Sequence, residues 1–160
     1  MKIVFLDIDG VLNSDLWERT LDDDKRKRLE NHFDPKCVAL LNKVLAQTNA
    51  KIVLTSTWRL NHSLEQMNDI FRSVGVQADI IDFTPDLKSQ GKHVVRGNEI
   101  LKWCQDNEAI IGTGFLKYTD FIILDDNTDM LLWQSKYFFK TDRFCGLTPS
   151  IVRNILIQFG

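Results

Sequence analysis

The sequence predicts an α/β fold of three layers, a parallel sheet with helices on both faces, and two features of the chain predict it. Short apolar runs such as Ile3 to Leu6 and Phe121 to Leu124 lack the apolar/polar alternation of a half-exposed strand, as expected for strands covered on both sides. Between such runs lie segments whose apolar residues recur at helical spacing, the pattern of β-α-β units.

The first strand, Ile3 to Leu6, is followed by Asp7, Asp9 and then Gly10. A charge at the edge of a core is costly unless it has a purpose. Residues two apart on an extended backbone point the same way, so Asp7 and Asp9 are expected to converge at the carboxyl end of a central strand, where open α/β sheets bind ligands. Gly10 lets the chain turn sharply. Two carboxylates this close call for a cation or a shared proton, and a hard, oxygen-seeking magnesium ion (Mg2+) fits them.

Residues 14–33 read as a flap or minimal insertion that carries the charge-dense run DDDKRKRLE. Its acids and bases nearly cancel, so Lys25 to Arg28 form a solvated face rather than a nucleic-acid patch. Asp34 and Pro35 then start a helix whose apolar face includes Val38, Leu41 and Leu45. Lys51 to Thr57 is the second strand and ends in Thr55, Ser56 and Thr57, hydroxyl residues placed where a helix is expected to begin near His62 and where an anion can be held. A second helix carries Leu64, Met67, Ile70, Phe71 and Val74 and closes at Gly75; a third strand is expected over residues 78–81.

The long loop 82–97 contains Lys88, Lys92 and Arg96, and a helix is expected over 98–104. Residues 108–120 form a connector. Phe121 to Asp126 is a fourth strand ending in paired acids, whose side chains should diverge because they are adjacent; Asp129 is expected to cap the next turn. A last strand at 137–139 and a helix opened by Thr148 and Pro149 complete the chain.

Length and composition fit one domain over 1–160: 160 residues with 44% hydrophobic and 26% charged content. A net charge of −2 provides no overall basic field for nucleic acid or an anionic membrane, so phosphate binding must come from local groups. Cys37, Cys104 and Cys145 show no metal or disulfide spacing and read as buried thiols in a reducing compartment. The N-terminal apolar run is too short for a signal peptide or a membrane span, and a cytoplasmic protein is expected.

DIDGVLN at residues 7–13, after a hydrophobic strand, resembles motif I of the haloacid dehalogenase (HAD) superfamily of phosphatases, and TST at 55–57 and LDD at 124–126 resemble motifs II and IV in the right order. The resemblance covers nearly the whole chain and is to a small capless branch; it implies a Rossmann-like HAD fold without a large cap domain. In such proteins the first Asp, here Asp7, is the nucleophile of an aspartyl-phosphate mechanism, and the second, here Asp9, is the general acid/base. The resemblance further implies that Mg2+ is held by Asp7, the Asp9 backbone carbonyl and Asp125 or Asp126. It puts phosphate oxygens on Ser56, with Thr55 as the alternative and Thr57 adjacent. The motif III cation would be Arg96, then Lys92, then Lys88. TSTWR at 55–59 resembles a branch linked to nucleic-acid end repair. The implied activity is phosphomonoester hydrolysis on a phosphoprotein, a nucleic-acid end or a nucleotide, with no membrane partner. The alternative is a catalytically idle module of the same fold that binds phosphorylated protein or nucleic acid.

Overall fold

The computed structural model of the chain describes residues 1–91, 94–108 and 121–160. Five strands, β1 (Ile3–Leu6), β2 (Lys51–Leu54), β3 (Ile80–Phe83), β4 (Phe121–Asp125) and β5 (Phe138–Lys140), form one sheet in the order β3-β2-β1-β4-β5, with every pairing parallel. The sheet is the predicted α/β architecture, and β1 lies at its centre. All four β1 residues have no exposed surface, which accounts for their unbroken apolar run.

Alternation along β1 divides the core. Val4 and Leu6 join the cluster under α3 (Pro35–Thr48), α4 (Leu64–Ser73) and α6 (Pro149–Phe159), whereas Ile3 and Phe5 face α5 (Arg96–Asp106). On the α5 side, Phe5 meets Trp103 and Phe121 edge-to-face at centroid distances of 5.3 and 5.5 Å. Asp34 accepts a hydrogen bond from Lys36 N at 2.8 Å, with Pro35 in the first turn of α3. Ser63 and Gln66 form a capping box at the start of α4, and Gly75, at φ +85°, follows its end.

Register is what makes a site possible. Leu6 is level with Leu54 on one side and Leu124 on the other, so β1 and β2 end together and β4 one residue beyond them. The ladder runs one residue further, with Asp7 N donating to Leu124 O and Thr55 N to Leu6 O, both at 2.9 Å. The chain passes from β1 to β2 on one side and later to β4 on the other, so a crevice opens at this end of the sheet.

Several boundaries differ from the sequence expectation. β3 starts at Ile80 rather than residue 78, because the Asn68 side chain engages both Ile80 N and Ile80 O, at 2.7 and 3.0 Å, and fixes where the extended segment begins. α5 starts at Arg96 rather than Asn98, since Asp129 Oδ2 accepts from Arg96 N at 3.1 Å. A short 3-10 turn, Thr57–Leu60, follows β2, and α4 begins only at Leu64. β5 is shifted one residue because Tyr137 ends a 3-10 segment and packs its ring 4.7 Å from that of Phe121. Cys37 and Cys104 are buried as expected; Cys145, on the turn before α6, is only half-buried. The expected connector at 108–120, apart from residue 108, lies outside the described residues, as do Lys92 and His93.

The flap contains two one-turn helices, α1 (Asp15–Glu18) and α2 (Asp23–Arg26), and a 3-10 turn at Leu29–His32. Ser14 and Asp22 cap the two helices by accepting from Trp17 N and Lys25 N. Main-chain bonds from Asp15 N to Arg143 O and Leu16 N to Phe144 O tie the flap to the turn after β5. No folded cap domain is found among the described residues, and no helix there is long and apolar enough to cross a membrane.

Candidate active site

Asp7 and Asp125 occupy neighbouring strand ends, and Arg96 comes to them from the first turn of α5. Its Nη1 lies 2.7 Å from Asp7 Oδ2 and 2.5 Å from Asp125 Oδ2. Asp7 Oδ1 accepts from Ile8 N at 2.8 Å and Asp125 Oδ1 from Asn127 N at 2.9 Å, so each carboxylate is held at both oxygens. All three residues are at most 8% exposed. Burial works against the Arg96 charge, but Asp7 and Asp125 outweigh it and hold its pKa well above the ordinary range. Burial first, and then the Asp7 charge, push Asp125 up to about 7 against the pull of Arg96.

The position of Arg96 is itself supported. Asp129 receives both Arg96 N and, through its carbonyl, Gly97 N, each at 3.1 Å. At Gly97 a Cβ would stand 2.5 Å from both Gln134 Oε1 and Leu131 N, so only glycine lets α5 press this close to the segment after β4. The Asp129 carboxylate therefore caps α5 from outside, and its other oxygen, Oδ1, is buried without a hydrogen-bond partner among the described residues. Lys88 is exposed in a 3-10 turn.

Asp126 corrects the expectation that adjacent acids diverge. Oxygens of Asp7, Asp125 and Asp126 all lie within 4.8 Å of one another. β4 ends at Asp125, so strand alternation no longer directs Asp126, which instead packs against Gly10; a Cβ there would come within 2.5 Å of Asp126 Oδ2. Gly10 also needs its positive φ of +73°, and Thr141 Oγ1 donates to its carbonyl at 2.7 Å. Burial and then the Asp7 charge raise the Asp126 pKa. Three convergent carboxylates offer the hard oxygen donors that Mg2+ takes, and their mutual repulsion favours such an ion.

The Asp9 carboxylate is not part of this trio. β1 ends at Leu6 and residues 9–12 turn, so a turn, and not strand alternation with Asp7, places Asp9. Instead Asn13 Nδ2 donates to Asp9 Oδ1 at 2.7 Å and Trp58 Nε1 donates to Asp9 Oδ2 at 3.1 Å. Asn13 also accepts from Gly10 N at 2.8 Å, closing the turn. The two acids thus stand in different environments, a requirement for different roles.

At the end of β2, Thr55 and Ser56 have no exposed surface and Thr57 is exposed. Thr55 Oγ1 is a buried hydroxyl without a partner among the described residues, whereas Ser56 Oγ accepts from Trp58 N at 3.5 Å. Sequence reasoning gave no role to Arg59 and Glu99. Arg59 donates to Thr55 O at 2.6 Å, Ser56 O at 3.0 Å and Thr84 O at 2.9 Å, and pairs with Glu99 at 2.8 Å, both side chains being no more than 5% exposed. Glu99 also accepts from Leu87 N at 3.1 Å. Burial lowers the Arg59 pKa despite that partner. The available signal was an acid at helical spacing from both Arg96 and Trp103, three residues after the one and four before the other, on the face that α5 buries.

With this geometry established, the comparisons are specific. A family model for the HAD domain in Swiss Army Knife RNA repair proteins matches residues 3–152. The chain belongs to this HAD family. The matched span runs from β1 into α6 and contains every site residue described above. Membership agrees with the parallel sheet and supports hydrolase chemistry of the phosphatase type for this HAD domain. No curated protein and no solved structure matches the chain.

Proposed function

We propose that this HAD domain is a magnesium-dependent phosphomonoester hydrolase that removes the terminal phosphate of a nucleic-acid end through an aspartyl-phosphate on Asp7. The observation that carries the reading is the separation of the two acids: Asp7 sits at Arg96 and the Asp125/Asp126 pair, while Asp9 is held apart by Asn13 and Trp58. The RNA-repair family supplies the substrate class. Residues 1–160 act as one catalytic unit, with 14–33 as a flap.

In this mechanism a carboxylate oxygen of Asp7 attacks phosphorus, the bond to the leaving oxygen breaks, and protonated Asp9 gives that oxygen its proton. Asp9 then takes a proton from the water that attacks the aspartyl-phosphate, which releases phosphate and restores Asp7. Arg96 moves from bridging the two carboxylates to meeting the phosphate oxygens, joined by the Thr55 or Ser56 hydroxyl. Asp7, the Asp9 carbonyl and Asp125 or Asp126 would hold Mg2+, whose charge offsets the repulsion between carboxylate and phosphate dianion.

The test is phosphate release from 3′- and 5′-phosphorylated oligonucleotides, with and without magnesium, by the native chain and by Asp7→Asn and Asp9→Asn. Native turnover should require the metal, and Asp7→Asn should lose about 10³-fold or more. Turnover by Asp7→Asn at the native rate removes the nucleophile assignment. Tight binding by the native chain without turnover favours the idle binding module.

A further inference from the structure

A cavity of about 200 Å³ opens beside Asp9, between the flap and the 3-10 turn after β2. Its lining includes Asp9, Glu18, Leu29, His32, Trp58 and Arg143. Asp9 is the acid that meets the leaving oxygen in the hydrolase reading, on which the following rests. Whatever carries the scissile phosphate therefore extends into this cavity. We infer that the cavity receives the single nucleoside bearing that phosphate, and that Arg143 at its rim holds the next phosphodiester of a single-stranded RNA end.

The chemistry of the walls selects a neutral, donor-rich occupant. Leu29 and Trp58 provide apolar surface, and Asp15, Glu18 and Asn13 provide acceptor oxygens. His32 adds no free donor, since Nδ1 is 2.7 Å from Glu18 Oε1 and Nε2 is 3.0 Å from Arg26 O. With Asp9 and Asp15 also present, a phosphate inside the cavity would meet predominantly negative charge. A nucleoside brings hydroxyl, imino and amino donors. A phosphoserine brings one methylene and then a backbone with one N–H per residue, and so fewer donors within the cavity than a nucleoside.

Arg143, on the turn after β5, is held less closely than flap cations such as Lys27 and Arg28. Lys27 and Arg28 lie 2.6 and 2.8 Å from Asp24 and Glu30. The Arg143 side chain is 68% exposed and stands 3.6 Å from Asp15 and 4.0 Å from Asp126, too far for hydrogen bonds. A guanidinium so placed can take a phosphodiester in a bidentate grip.

Binding of three probes in magnesium tests this directly: a 3′-phosphorylated RNA trinucleotide, the matching mononucleotide 3′-phosphate and a phosphoserine tripeptide, with the 5′-phosphorylated trinucleotide fixing polarity. The native chain should bind one of the trinucleotides about tenfold more tightly than the mononucleotide. Arg143→Gln should abolish that preference and reduce the salt slope of trinucleotide binding by about 0.7, the value for one lost single-strand phosphate contact. Leu29→Trp, which fills the cavity, should weaken both nucleotides relative to inorganic phosphate. Equal native affinities for trinucleotide and mononucleotide, an unchanged slope in Arg143→Gln, preference for the peptide, or no binding of any probe overturns the inference. Length-dependent binding without turnover would sink the hydrolase and leave this inference standing. Magnesium-dependent turnover without length preference would do the reverse.

Discussion

On the sheet side of the cleft, Asp7, Arg96 and Asp125 are 4%, 8% and 0% exposed, stand at strand ends or in the first turn of an eleven-residue helix, and hold one another directly. On the flap side, between Asp15 and His32, Leu21 alone is buried, both α-helices are single turns, and cohesion comes from pairs within the flap such as Glu18 with His32 and the Trp17 indole with Asn31 O. The sheet side is organised before any ligand arrives, at the cost of burying charges that are balanced only as a set. The flap side can open locally without disturbing the core, because little apolar surface is lost when it does. Labour is divided between the two sides: groups that must be placed to a fraction of an ångström stand on the sheet, and groups that must admit and release a bulky end stand on the flap.

Arg96→Ala in the absence of divalent metal should separate the two sides most clearly. Two buried carboxylates would be left facing each other, and loss of one partner from such a set costs about 3–5 kcal/mol. Urea unfolding should show that loss in chelator and partial recovery in magnesium, along with a fall in turnover of about 10²-fold. Glu18→Ala, which breaks the main side-chain pair of the flap, should cost about 1 kcal/mol or less in the same assay. Similar costs for the two variants would mean that the sides are not built differently.

Trp58 belongs to both sides, since its indole N–H reaches Asp9 and its ring lies 5.5 Å edge-to-face from Phe33 at the end of the flap. Trp58→Phe keeps the ring contact and removes the donor. Turnover of a small aryl phosphate, which does not fill the cavity, should fall about tenfold in kcat, the effect of one hydrogen bond to a charged acceptor. An unchanged kcat would show that Asn13 alone orients Asp9.

What could be read from the sequence follows from how far apart the partners lie. DIDG and LDD state their chemistry locally, because a strand and the charges at its end are contiguous, and the fold follows from five such runs and the helices between them. The turn of Asp126 toward Asp7 depends on β4 ending one residue earlier, which no pattern of six residues announces. Arg96 reaches Asp7 and Asp125 because Asp129, 33 positions on, starts α5 there; Arg59 meets Glu99 across 40 positions and Trp58 meets Asp9 across 49. These are tertiary contacts, and TSTWR marked Trp58 and Arg59 without disclosing what they touch.

A pH-dependent effect is confined to the flap. His32 faces Glu18, the Arg26 carbonyl and, across the cavity, Asp9, Asp15 and Arg143. Burial lowers its pKa, but the bonds to Glu18 and to the Arg26 carbonyl, with the charges of Glu18 and Asp9, raise it on balance above the usual 6.5. A histidine raised on folding contributes stability that is fully present below its unfolded value and is lost as pH rises through the folded one. Amide-exchange protection factors across 15–32 should therefore decline as pH climbs from about 6.5 through the folded value. Protection in β1 and β2, which do not depend on this pair, should decline less over the same range. His32→Gln should flatten the flap's pH response and lower its protection at acidic pH to the level the native flap reaches at alkaline pH. A flap whose protection is the same across that range, or a His32→Gln flap that keeps the native response, would mean that the main-chain ties to Arg143 and Phe144 hold the flap and that the histidine pair contributes nothing.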